Sequence, residues 1–147
     1  MLAIAIRCTL IVAVVGVAAA SAPANAQDAI ADPPLPAVTI EHFLPVHTDA
    51  MRPGPLQAQK RSTGVSRPFF LVGCDAYSLE WLAKNRERLV DLQAFGLVVE
   101  APDARAFRQL EAAAKGLVLR PVSANLIAEH LGLEIYPALI TSEGIFP

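Results

Sequence analysis

The chain has 147 residues, 12 basic and 14 acidic side chains, a net charge of −2 and 54% hydrophobic residues. That length allows one modest domain with a real core and not two. The slight acid excess leaves no electrostatic footprint for nucleic-acid binding, and two cysteines, Cys8 and Cys74, are too few for a disulfide framework.

Arg7 is followed by an apolar and small-residue run over 8–20, then by Ala24-Asn25-Ala26 before Gln27. A basic start, a short apolar segment and a small-x-small site predict a secretory signal peptide over residues 1–26, cleaved after Ala26. The run is too short to span a bilayer comfortably. Cleavage would remove Cys8 and leave Cys74 as the single thiol, which forbids an internal dithiol couple. Cys74 then reads as a buried small apolar side chain, an intermolecular disulfide being the alternative.

Residues 27–66 carry prolines at 33, 34, 36, 45, 53 and 55. That density excludes a long helix and most central strands, so the stretch reads as a Pro-rich extended arm. Within it Val38 to Val46 could form an edge strand or lie on the domain. The basic cluster Lys60, Arg61 and Arg67 reads as solvated linker.

From 67 to 147 the punctuation is regular and predicts the folded domain. Phe69-Phe70-Leu71-Val72-Gly73 is a buried strand. Asp75 or Ser78 caps a helix from Leu79 to about Ala94, which Gly96 ends. Gly96 to Glu100 is a second strand. Pro102-Asp103 opens a second helix to about Lys115, closed by Gly116. Leu117 to Val122 is a third strand. Ser123 or Asn125 caps a helix over Leu126 to Leu131, which Gly132 ends, and Ala138 to Thr141 is a fourth strand after Pro137. Alternating strands and helices require crossovers. The expected fold class is therefore α/β: a small, mainly parallel four-stranded sheet with helices on both faces.

The segment Leu117 to Ile145, with a short helix, Leu131-Gly132-Leu133, Tyr136-Pro137, an apolar strand and Glu143-Gly144, resembles the second half of the thioredoxin fold. The resemblance implies a cis Tyr136–Pro137 bond; on the residues alone, a trans proline opening an edge strand reads as well. The sequence departs from thioredoxins where chemistry would sit. Cys74-Asp75-Ala76-Tyr77 and Ala101-Pro102-Asp103-Ala104 both lack a Cys-x-x-Cys pair, so only a groove beside Pro137, suited to an extended peptide, remains. Over residues 43–146 the order Phe69 to Gly73, Ser78 to Leu82, Gly96 to Val99, Leu119 to Ser123 and Tyr136 to Thr141 resembles an exported bacterial family encoded within integrating conjugative elements. It is also similar to the thioredoxin-like pilin-assembly proteins of conjugative type IV secretion. These resemblances imply a periplasmic accessory protein whose partners are components of the secretion apparatus, and they imply no reaction.

Other chemistry is thinly represented. His42, His47 and Asp49 are a loose zinc set. Ser66, Ser78 and Ser123 lack a nucleophile-elbow setting. One glycine at Gly73 is a turn and not a phosphate cradle. Glu100 and Asp103 flank a strand–helix junction, the edge where α/β sheets bind ligands, although cap and solvated turn are the readings favoured for them. Trp81 reads equally as core or as an exposed anchor. The expectation is a non-enzyme with no cofactor and no metal, whose candidate partner-binding residues are Cys74, Asp75, Tyr77, Pro102, Asp103, Tyr136 and Pro137. The competing expectation is a monothiol chaperone or redox helper using Cys74, which needs that thiol exposed with a depressed pKa.

Overall fold

Three predicted strand–helix units order the domain. In the computed structural model, which describes residues 38–147, they form strand β3 (Phe69–Gly73), helix α1 (Ala76–Asp91), strand β4 (Phe95–Glu100), helix α2 (Ala104–Ala113) and strand β5 (Leu119–Pro121). Helix α3 (Asn125–Leu131) follows, then β6 (Ile135–Tyr136), β7 (Ala138–Thr141) and β8 (Gly144–Phe146). Ahead of β3 lie a 3-10 turn at Ile40–Phe43 and two short strands, β1 (Arg52–Pro53) and β2 (Gln59–Lys60). The expected signal peptide and residues 27–37 of the expected arm lie outside the described residues.

The sheet corrects the expected architecture. It has six strands in the order β2-β8-β7-β3-β4-β5 and is mixed, not mainly parallel and four-stranded. The trio β3, β4 and β5 is parallel, as crossovers through α1 and α2 require. The other side is antiparallel, β7 to β3, β8 to β7 and β2 to β8. The physical reason is connection length. Only Ser142 and Glu143 separate β7 from β8, and so short a link allows only a hairpin.

Alternation along the strands sorts the core into two layers. Phe70, Val72, Val98 and Leu139 pack with Trp81, Leu82 and Leu89 of α1 and with Phe107 and Leu110 of α2. Leu71, Val99 and Ile140 face the other way, onto Ala128 and Leu131 of α3 and onto Leu133 and Tyr136. Helices thus cover both faces, which is why the strands read as unbroken apolar runs.

Local signals hold at some helix ends and shift at others. Asp75, not Ser78, caps α1, its side chain accepting from the Ser78 amide. Asp103 caps α2 in the same way, each cap contributing about 1 kcal/mol. Neither Ser123 nor Asn125 caps α3, whose N-cap position is Ala124, without a side-chain cap. Gly116 and Gly132 are left-handed as expected, with φ of 86° and 60°. Gly96 does not end α1. The helix stops at Asp91, and Gln93 takes the left-handed turn with φ 50°. Gly96 lies within β4, where an added Cβ would sit 2.3 Å from Leu119 Cδ2 and 2.6 Å from the Phe70 ring. Its role is close packing.

Residues 38–66 lie against this sheet and do not run free. The Val46 amide and carbonyl pair with those of Ala101 at 2.9 Å each, and Thr48 is 1% exposed. β1 pairs with β6 in parallel, and β2 closes one edge of the sheet. Val46 and Met51 enter the two core layers.

Candidate functional site

The fold brings three chain crossings to one place. Strands β3 and β4 end there, α1 and α2 begin there, and the antiparallel β7 starts beside the end of β3. From β3 the chain winds outward through β4 and β5, and α3 then carries it back across the opposite face to β7. Such a reversal point is where open α/β sheets leave a crevice.

Gly73 ends β3 without a side chain because none fits. A Cβ there would meet Asp75 Oδ2 and Tyr136 Cε2, each at 2.6 Å. Its amide donates to the buried Ser78 hydroxyl at 3.0 Å, and that hydroxyl donates to Asp75 Oδ2 at 2.9 Å. Asp75 Oδ1 accepts from the Ser78 amide at 2.9 Å. The Asp75 carboxylate is therefore fixed by the helix start that it caps. The Cys74 amide donates to the Glu100 carbonyl at 2.8 Å, which ties the two strand ends together.

Cys74 is half-buried among acidic groups. Burial first, then the nearby charges of Asp75, Asp103 and Glu100, push its thiol up to about 11. At neutral pH only about one thiol in 10⁴ is ionised. Tyr136, 3% exposed, has its phenol pushed up by burial, then by Asp75 and Glu100. Both groups are held in their protonated forms.

The Tyr136–Pro137 bond is cis, the first of the two readings that the sequence left open, and Leu44–Pro45 is cis as well. The strand edge expected to receive an extended peptide is occupied by the chain itself. The Arg52 amide donates to the Glu134 carbonyl, and the Gly54 amide to the Tyr136 carbonyl, each at 2.9 Å.

Of the expected site residues, Cys74, Asp75, Tyr136 and Pro137 converge. Asp103 is close enough to act on the thiol. Pro102 and Asp103 are exposed at the start of α2. Tyr77, 44% exposed, lies apart, in a dent with Glu80, Trp81 and Lys84. Trp81 is a core residue, 9% exposed, with its ring 6.1 Å from Phe70. Among the described residues its buried indole N–H has no hydrogen-bond partner.

His47 keeps Asp49 of the neighbours expected for it, loses His42 and gains Glu100. Its Nδ1 lies 2.5 Å from Glu100 Oε2, and its Nε2 lies 3.2 Å from Asp49 Oδ1. A neutral imidazole carries one N–H, so facing two carboxylates selects the imidazolium. The hydrogen bond and charge of Glu100, then Asp49, raise its pKa. His42 instead pairs with Thr39 at 3.1 Å, and among the described residues no three of His, Cys, Asp or Glu gather as a metal site. Nothing local could have joined His47 to Glu100 across 53 residues.

These features define a mixed α/β protein with a protonated Cys–Tyr pair and a carboxylate-clamped histidine at the sheet's reversal point. No described helix is long and apolar enough to cross a membrane. Residues 14–145 match a family described as a protein of unknown function (DUF2859), and the chain belongs to that family. No curated protein and no solved structure matches the chain.

Proposed function

We propose that this protein is a non-catalytic periplasmic accessory of conjugative DNA transfer, exported by a signal peptide cleaved after Ala26. It acts by protein–protein contacts in the type IV secretion or pilus-assembly machinery of an integrating conjugative element. The observation that carries the reading is the state of Cys74. A thiol near 11 among three carboxylates is a weak nucleophile at neutral pH, which weighs against the monothiol helper and leaves shape and contact as the means of action. The kinship with thioredoxin-like pilin-assembly proteins belongs to the same proposal. Parallel strands flanked by an antiparallel hairpin support it.

The test is cross-linking in the periplasm of donor cells during conjugation. Secretion-channel components recovered with the protein, and transfer reduced by its deletion, are expected. Transfer unchanged by deletion, with no channel component recovered, overturns the proposal. Cys74→Ser separates the alternatives. Unchanged transfer frequency is expected, whereas lost transfer together with thiol adducts trapped on Cys74 would establish the monothiol helper.

A further inference from the structure

A groove of about 420 Å³ lies on the α3 face, away from the reversal point. Its floor is apolar: Val65, Phe69, Phe95, Leu97, Leu126 and Ile127. Leu126 is 80% exposed at the second position of α3, where the fold makes no use of its side chain. Phe95 is half-buried, and its ring lies 5.7 Å from that of the buried Phe69.

Exposed cations surround that floor. The Arg67 guanidinium lies 5.3 Å over the Phe95 ring, a stacking contact that leaves its N–H donors free for an anion. Arg61 donates to the Leu131 carbonyl at the other side. Leu119 points into the α1–α2 core layer, so by strand alternation Arg120 points to the α3 face, beside its register partner Leu97. His130 lines the groove too, and no described residue lining it is acidic. Glu129 borders a different hollow. In a chain with more acidic than basic residues, this is a local excess of positive charge over an apolar floor.

We propose that this groove docks an extended acidic–apolar segment of a partner protein, with apolar side chains on the Phe69–Phe95–Leu126 floor and carboxylates on the Arg61, Arg67 and Arg120 rim. Arginine suits this role because its planar fork binds carboxylates while its stem packs on apolar surface. One protruding apolar side chain, Leu126, is too little to anchor in a bilayer, whereas an apolar groove with an arginine rim suits a side-chain-bearing strand. The inference is independent of the conjugative reading, since it concerns another face and a binding chemistry alone.

The test uses the full chain and a fluorescent ten-residue peptide alternating leucine and glutamate, with a leucine–lysine peptide as control. The glutamate peptide is expected to bind about tenfold or more tighter than the control and to weaken with salt. Arg67→Glu with Arg120→Glu should lower its affinity about tenfold or more, and Arg67→Lys with Arg120→Lys should retain most of it. Leu126→Asp should also weaken binding with an unchanged melting temperature, because an exposed acid in a helix's first turn is tolerated. Equal binding of the two peptides, or indifference to the charge reversals, overturns the proposal. So does Leu126-dependent binding to phosphatidylglycerol vesicles, which assigns the face to a membrane. Self-association lost on charge reversal would assign it to a second copy and equally overturn it.

Discussion

Two residues show how single side chains, or their absence, hold this site and its sheet in place. Gly96 lets β5 and the Phe70 ring close onto β4, because a Cβ would fall within 2.3–2.7 Å of Leu119 and Phe70 atoms. Both neighbours belong to the α1–α2 core layer and have little room to retreat. Gly96→Ala is therefore expected to destabilise the fold by about 1–3 kcal/mol, read from urea denaturation. His47 argues at the same scale for pH dependence. Its pKa is raised above 6.5 by Glu100 and then Asp49, so the folded state binds the proton more tightly than the unfolded chain does. The latch to β4 is fully present below pH 6.5 and is lost as pH rises through the raised value. An NMR titration of the His47 ring should give a midpoint above 6.5, falling back towards it in Glu100→Gln.

At the scale of elements, the segment before β3 is tied down by main-chain and hydroxyl contacts that its composition hides. The Thr48 hydroxyl donates to the Val99 carbonyl at 2.8 Å and accepts from the Ala124 amide at 3.1 Å. One buried group thus joins the segment, β4 and the residue that precedes α3. Thr48→Val keeps the shape and leaves two buried backbone groups unpaired. It should cost about 1–3 kcal/mol and speed proteolysis within residues 40–66. The same logic explains why Pro53 and Pro55 are tolerated. The ladder of β1 needs only the Arg52 and Gly54 amides, and the prolines fall between and after them. Over the described residues 38–66 no long helix forms, as the proline density predicts, but that density could not reveal that the extended chain is paired.

At the scale of the molecule, the two core layers share every central strand. Phe70 and Val72 serve one, Phe69 and Leu71 the other. Neither layer persists without the sheet between them, so one cooperative transition is expected. Far-ultraviolet circular dichroism and Trp81 fluorescence should give coincident melts. Separate midpoints would show that the α3 layer unfolds by itself.

The sequence by itself determined what depends on neighbours a few residues apart. The run Phe69 to Gly73, the amphipathic spacing of α1 and α2, the Asp75 and Asp103 caps and the left-handed Gly116 and Gly132 were legible because propensity, capping and burial act locally. Strand β7 was legible to the residue, Ala138 to Thr141. The tertiary structure alone decided the mixed six-stranded order, the short strands β1, β2, β6 and β8, the pairing of residues 52–54 with the edge before Pro137, and the meeting of His47 with Glu100. Two- and three-residue strands carry too little periodicity to read, and contacts across 50 or more residues leave no local trace. Cys74 shows the division most plainly. Its identity as a lone exported thiol was an expectation from the chain, while its protonated state follows first from its burial and then from carboxylates, of which folding brings up Asp103 and Glu100 beside the adjacent Asp75.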